Sequence, residues 1–203
     1  MGRFIVFEGL DGAGTTTQAA RLVEKLRAAG DEVVATREPT DLPVGRLIRA
    51  ALRGEADAVA RSTLPWMFAA DRADHLARTV GPALERGWVV SDRYAPSSLA
   101  YQSLDVPLDL VWALNQGFRA PDLTIFLKIS APVALARVIS RAGQREIFEE
   151  EETLRRVAHQ YAVVFDRLRA RGDRIVVIDG AQSIEAVEAA VWTAVSGLGP
   201  AVG

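Results

Sequence analysis

The sequence predicts an α/β fold, a parallel sheet of about five strands with helices on both faces. Three observations predict it. Short apolar runs rich in β-branched and aromatic residues recur at 4–7, 33–35, 88–90, 123–129 and 174–178, and a run that is apolar on both sides suits a strand buried in a parallel sheet. Stretches with apolar residues at helical spacing separate them. A glycine-rich segment, Gly9 to Gly14, lies between the first strand and the first helix. Strands alternating with helices imply βαβ crossovers, and ligands of such sheets bind beyond the carboxyl ends of the strands.

Each helix has its own signals. Ala19, Leu22, Val23 and Leu26 fall at helical spacing, and Gly30 is a natural stop. Pro43 opens a second helix carrying Leu47, Ile48 and Leu52. Ser62 or Thr63 can cap a third that begins near Pro65, and it sets Phe68 and Arg72 four apart on one face. Pro82 and Gly87 punctuate the stretch between that helix and the third strand. Residues 108–118, 134–141, 153–171 and 184–195 read as further helices, with an arginine-bearing stretch at 141–148. The Gly- and Pro-rich tail, about 197–203, is expected to fray. The expectation is one domain over residues 1–203 with a short lid at about 141–149.

Bulk properties narrow the function classes. A chain of 203 residues, 49% hydrophobic and 25% charged, can bury a stable core, so disorder of its body is excluded. A net charge of -2 argues against a general nucleic-acid or membrane-surface binder. The absence of cysteine excludes disulfides, thiolate chemistry and Cys-based zinc sites, and fits a reducing compartment. The apolar start at 1–8 is too short for a signal peptide or a membrane span. Two histidines, His75 and His159, are too few and too far apart for a metal cluster. A cytoplasmic protein without nucleic-acid or membrane partners is expected.

Gly9-Leu10-Asp11-Gly12-Ala13-Gly14-Thr15-Thr16-Thr17 has the frame of a phosphate-binding loop. Glycines let successive N–H groups point at an anion, and the following helix adds its positive dipole end. Thr16 stands where a hydroxyl would help hold Mg²⁺. The strand-to-helix context gives a P-loop NTPase-like fold. Thr15 occupies the place of the expected lysine. An ammonium against a transferring phosphoryl group is worth roughly 3–4 kcal/mol, so another cation must act. Arg137, Arg141 and Arg145 are the candidates; taken alone they read equally as a solvated basic face.

The acceptor side is Asp92-Arg93-Tyr94, directly after a buried strand. Asp92 there can serve Mg²⁺, and the Arg93 fork suits a phosphate; the pair could also merely tie a turn. Ser97, Ser98, Tyr101 and Gln102 offer groups that read base edges and sugar hydroxyls. Phe68 could stack on a base with Arg72 donating to it, or form core beneath a snorkelling arginine. Arg37-Glu38-Pro39 puts two charges at the cleft end, or a surface bridge. The acidic run Glu149 to Glu152 reads as the solvated start of the long helix.

These segments together resemble the thymidylate kinase family. The matching set is Phe-Glu-Gly-Leu-Asp-Gly-Ala-Gly, Arg37-Glu38-Pro39, Leu47-Ile48-Arg49, Phe68-Ala69-Ala70-Asp71-Arg72, Asp92-Arg93-Tyr94 with Ser97-Ser98 and Ala100-Tyr101-Gln102, and Pro121-Asp122-Leu123-Thr124. The matches run in family order from residue 4 to about residue 179. The resemblance implies transfer of the ATP γ-phosphoryl group to dTMP, with Mg²⁺, by a homodimer. It implies that Phe68 stacks on thymine, that Arg72, Ser98 and Gln102 meet its edge, and that Tyr101 crowds the sugar 2′ position. It implies Arg49 and Arg93 as the grip on the dTMP phosphate, beside Glu38 and Ser97, with Asp11 orienting that phosphate or its neighbouring arginine. Gly9 to Thr17, Arg137, Ala181 and Gln182 would bind ATP. Arg141 and Arg145 would be lid residues, as in the bacterial form. Lys128 departs from the pattern at the end of the fourth strand. Two other readings stand: a kinase of another nucleotide or nucleoside, and a nucleotide-binding protein without catalysis.

Overall fold

The computed structural model describes residues 2–55, 59–142 and 147–198, and side chains outside 140–150. Five parallel strands, β1 (Phe4–Gly9), β2 (Val33–Arg37), β3 (Trp88–Asp92), β4 (Leu123–Lys128) and β5 (Ile175–Asp179), form one sheet in the order β2-β3-β1-β4-β5. From β1 the chain crosses to the edge strand β2, returns to place β3 beside β1, and then builds β4 and β5 outward on the other side. The break between β1 and its neighbours is therefore the switch point at which open α/β sheets bind ligands.

Burial follows position in the sheet. Every residue of β1 is buried, and β4 is buried up to the exposed Lys128. The edge strands β2 and β5 are partly exposed instead. On β1, Ile5 and Phe7 join the larger core, while Phe4 and Val6 pack with Val80, Leu84 and Val89 in a smaller one. That alternation is the two-residue period of a strand covered on both faces. Helix α1 (Thr15–Ala28) covers the larger core with Leu22, Val23 and Leu26.

The remaining helices are α2 (Pro43–Leu52), α3 (Leu64–His75), the short α4 (Gly81–Leu84), α5 (Ala95–Gln102), α6 (Leu108–Asn115), α7 (Ala131–Ala142), α8 (Ile147–Ala170) and α9 (Ile184–Ser196). Thr63 holds the N-cap position of α3 but makes no capping bond, because residues 61–63 turn as a 3₁₀ helix first. Ser183 does cap α9, accepting from the Ala186 N–H at 3.2 Å. Helix α6 stops at Asn115, short of the expected 118. Helix α8 starts at Ile147, ahead of the expected 153, with the acidic run in its opening turns. An i,i+4 pair, Glu151 with Arg155 at 2.5 Å, supports that turn. A π-helical turn at Leu76–Val80 joins α3 to α4, a segment with no sequence signal beyond Pro82 and Gly87. Of the expected lid at about 141–149, residues 141–142 end α7 and 147–149 begin α8, while 143–146 lie outside the described residues, as do 199–203 of the tail expected at about 197–203. Among the described residues no helix is long and apolar enough to cross a membrane.

Leu22 is fully buried between α1 and the sheet. Leu22→Ala is expected to lower stability by about 2–4 kcal/mol, read as a shift of the urea midpoint with an unchanged slope.

Candidate active site

The phosphate loop is held by three close approaches. The Ala13 N–H donates to the Leu10 carbonyl at 2.9 Å, which folds the loop tightly. Gly12 has φ 85°, and a Cβ there would lie 2.8 Å from the Ala134 carbonyl oxygen of α7. Gly14 has φ 93° and heads α1 without a side-chain cap. Helix α1 has no acid in its first turn, so its leading N–H groups stay available to an anion. Leu10 and Ala13 are core residues, so only their backbone faces a ligand. Arg137 donates to the carbonyls of Gly12 at 3.3 Å and Gly180 at 3.0 Å, clasping the loop to the turn after β5.

Thr16 and Asp92 meet as the motif requires. The Thr16 hydroxyl donates to Asp92 Oδ2 at 2.5 Å. The other carboxylate oxygen, Oδ1, is buried and without a protein partner. A hydroxyl beside a half-used carboxylate, next to an anion loop, fits Mg²⁺. No cluster of three or more acidic, His or Cys groups occurs among the described residues.

Arg93 departs from Asp92 and turns back over β1. Its φ of 70° makes it the non-glycine residue of positive φ among those described, a conformation that costs about 1–2 kcal/mol. The turn carries the guanidinium to the phosphate loop, where it bonds Asp11 Oδ1 at 2.5 Å and the Gly9 carbonyl at 3.0 Å. It also donates to the hydroxyls of Ser97 at 3.1 Å and Tyr161 at 3.4 Å. Beneath them is Glu8, fully buried. Burial pushes the Glu8 carboxyl up to about 7, against the opposing pull of Arg93 and of the hydrogen bonds from Ser97, Tyr161 and the Tyr94 N–H.

Beyond Arg93 opens a cavity of about 860 Å³, with Asp11, Phe68, Arg72, Asp92, Tyr101 and Gln102 on its walls. Arg72 is fully buried. It bonds Glu38 at 2.6 Å, the Ser98 hydroxyl at 2.9 Å and the Asn115 side chain. His75 completes the set against the other Glu38 oxygen at 3.0 Å. Four buried polar atoms on this wall have no protein partner: Arg72 Nε, Asp92 Oδ1, Tyr101 Oη and Gln102 Oε1. Native proteins leave few such groups unpaired. Burial raises the Tyr101 phenol to about 12, so it stays a neutral donor.

The family model described as thymidylate kinase matches residues 7–191. The chain belongs to the thymidylate kinase family. The thymidylate kinase of Alkalilimnicola ehrlichii is 39% identical over 96% of this chain and 93% of its own. That of Geobacter sulfurreducens is 39% identical over 94% and 95%, and that of Ruegeria pomeroyi 40% identical over 94% and 92%.

Within this thymidylate kinase frame several expectations are revised. Arg37 and Glu38 do not pair with each other: Arg37 bonds Asp41 at 2.9 Å on the surface, while Glu38 is buried against Arg72. Asp92 and Arg93 do not pair either, for Asp92 serves Thr16 and Arg93 serves Asp11. Ser97 gives its hydroxyl to Glu8 at 2.5 Å and is thereby committed to the protein. Arg49 is tied to the Pro39 carbonyl at 2.5 Å and to Asp41, at the rim of the cavity rather than within it. Thr15 is buried, its methyl 3.3 Å from where a Gly9 Cβ would be, so it packs under the loop. Thr17, Ala181 and Gln182 are exposed, and the neighbouring Gly180 approaches the Ala13 carbonyl. Arg141 lies in the last turn of α7, but its side chain, and all of Arg145, fall outside the described residues. Lys128 is exposed and in register with Asp179; nothing in the structure explains it.

Residues outside the expected site set also belong here. Arg37 and Arg156 line the cavity, Tyr161 and Asn115 accept from its arginines, and His75 and Glu8 stand behind them, His75 on Glu38 and Glu8 on the Ser97 and Tyr161 hydroxyls. Glu8 carried a signal, an acid inside a run of otherwise apolar strand residues. The others carried none, since their partners lie 34 or more residues away in most cases.

Gly12→Ala is expected to weaken ATP binding at least about tenfold, because the new methyl meets Ala134 and the backbone leaves its left-handed turn. Isothermal titration calorimetry measures the loss, and circular dichroism should show the fold retained.

Proposed function

We propose that the chain is a nucleotide kinase that transfers the γ-phosphoryl group of ATP to dTMP, giving dTDP and ADP in dTTP biosynthesis. The observation that carries the reading is the set of unpartnered polar atoms around one cavity, joined to the phosphate loop by the Asp11–Arg93 pair. Phosphoryl transfer needs two anionic sites that touch, and that pair is where they touch.

Each residue then has a task. Phe68 stacks on thymine, and Arg72, held by Glu38, meets its edge with Ser98 and Gln102. Tyr101 crowds the sugar 2′ position. Arg93 takes the acceptor phosphate, with Arg49 and Arg37 at the rim, and Asp11 orients Arg93. The loop N–H groups from Gly9 to Thr17 hold the ATP phosphates, and Ala181 and Gln182 border the adenine. Thr16 and Asp92 would hold Mg²⁺, which when bound neutralises charge between the transferring phosphates. Arg141 and Arg145 close over ATP and supply the positive charge that Thr15 lacks, while Arg137 braces the loop beneath.

The chemistry asks little of an acid or base. A phosphate monoester is already largely ionised at neutral pH. The protein must bring two anions into line, neutralise them and exclude water, which is work for arginines. We place this activity in the cytoplasm, on mononucleotides rather than nucleic acid. The exposed Leu47, Leu52 and Trp66 on the adjacent helices α2 and α3 support a homodimer. A second reading, nucleotide binding without catalysis, is favoured by Thr15 alone.

A coupled assay of ADP formation with ATP, Mg²⁺ and dTMP tests the reading. The natural protein should turn over. Arg141→Ala or Arg145→Ala should lower kcat on the order of 100-fold, and Thr15→Lys should change it little. A silent natural protein that Thr15→Lys awakens would instead be a binder on a kinase frame. Phe68→Ala should raise KM for dTMP about tenfold or more while leaving KM for ATP unchanged.

A further inference from the structure

The proposed phosphoryl transfer leaves one buried acid at the site without a task. Glu8 sits next to the end of β1, and its two oxygens collect donors from two other elements. Oε1 accepts the backbone N–H of Tyr94 at 2.9 Å and of Ser97 at 3.3 Å. Oε2 accepts the hydroxyls of Ser97 at 2.5 Å and Tyr161 at 2.9 Å. Those two hydroxyls, with the Gly9 carbonyl at 3.0 Å, are the acceptors for Arg93 Nη1. Arg93 and Ser97 line the cavity and Glu8 does not. A layer of two hydroxyls thus separates a buried carboxyl from the guanidinium that faces the ligand.

A hydroxyl that donates to a carboxylate turns its lone pairs the other way. While Glu8 is ionised, both hydroxyls point their protons at Oε2 and their lone pairs at Arg93. A proton on Glu8 must reside on Oε2, because Oε1 already faces two N–H donors. That proton needs a hydroxyl as acceptor, in competition with Arg93, and Tyr161 has an alternative acceptor in the Gly9 carbonyl at 3.3 Å. We propose that Glu8 is a positioning residue for the acceptor phosphate, its carboxylate fixing Arg93 through the Ser97 and Tyr161 hydroxyls and releasing it on taking up a proton. This rests on the dTMP kinase reading above.

The other groups around Glu8 do not offer a rival explanation for such a switch. From α5 the Tyr101 ring lies 5.3 Å from the Arg93 guanidinium, and its phenol titrates far above neutrality. From α8 comes Tyr161, whose phenol is also pushed upward by burial. The strand β4 offers Phe126 in register with Glu8, and Asp11 of the loop holds the far side of Arg93. Glu8 is the carboxyl of this set whose burial brings its titration to neutral pH.

Glu8→Gln mimics the protonated acid, because its amide must donate where Oε2 accepted. The test is the ratio of dTMP affinities of the natural protein and Glu8→Gln, measured by calorimetry from about pH 6 to pH 8.5. The titration of the dTMP phosphate is common to both and cancels. The natural protein should bind dTMP about tenfold more tightly at the upper pH, and within about twofold at the lower. ATP affinity should be equal for both. Tyr161→Phe, which removes one hydroxyl, should lower dTMP affinity severalfold at the upper pH and serves if the Gln variant does not fold. A ratio that is flat with pH, tighter binding by Glu8→Gln, or equal losses for ATP and dTMP would overturn the assignment. A natural protein that binds dTMP but forms no dTDP would sink the kinase reading instead, with the binding ratio still deciding the role of Glu8.

Discussion

The position of one guanidinium governs this site. Arg93 is the point at which the phosphate loop, the turn after β3 and the helix α8 meet, through Asp11, Gly9, Ser97 and Tyr161. Its left-handed backbone is an unfavourable state that the Arg93 N–H to Phe7 carbonyl bond and the Ser91 hydroxyl to Arg93 carbonyl bond hold in place. Without that turn the side chain would continue the line of β3. With it, a cation lies beside the loop and lines the cavity at once, where the proposed transfer would bring two phosphates together.

The second constraint is the cost of burying charge. Arg72 and Glu38 lie deep beside the cavity, and a buried ion pair of this kind is rarely a net source of stability. Here His75, Ser98 and Asn115 satisfy most of the remaining donors and acceptors. Asp71 adds a second support, accepting the N–H and hydroxyl of Thr40 at 2.8 and 2.5 Å and so fixing the turn after Glu38. The return on this arrangement is geometry. Arg72 keeps one face of the cavity rigid, so that a ligand meets donors already in place.

The fold was legible in the sequence because burial writes itself into composition. The runs in β1 and β4 are apolar on both faces, the glycine frame marks the first turn, and Pro43 and Gly30 mark helix ends. Where sequence and structure differ, a local signal was overridden by neighbours. Helix α8 begins ahead of the expected 153, its opening turns supported by an i,i+4 pair, and Thr63 lost its cap to a preceding 3₁₀ turn. The site was half legible. Thr16 with Asp92 and Phe68 with Arg72 follow from motif and spacing. That Glu38 leaves Arg37 for Arg72, and that the Ser97 hydroxyl bonds Glu8, depend on contacts between distant segments. No spacing in the chain announces those contacts.

The claim at the centre of this account is that Arg93 holds the phosphate of an acceptor nucleotide. The direct measurement is a ligand–mutant cycle: dissociation constants of dTMP and of thymidine, for the natural protein and for Arg93→Ala. The account predicts that dTMP binds the natural protein about 100-fold more tightly than thymidine, and that this gap shrinks at least about tenfold in Arg93→Ala while thymidine affinity changes little. A gap that persists undiminished in Arg93→Ala would contradict it and move the phosphate to another cation.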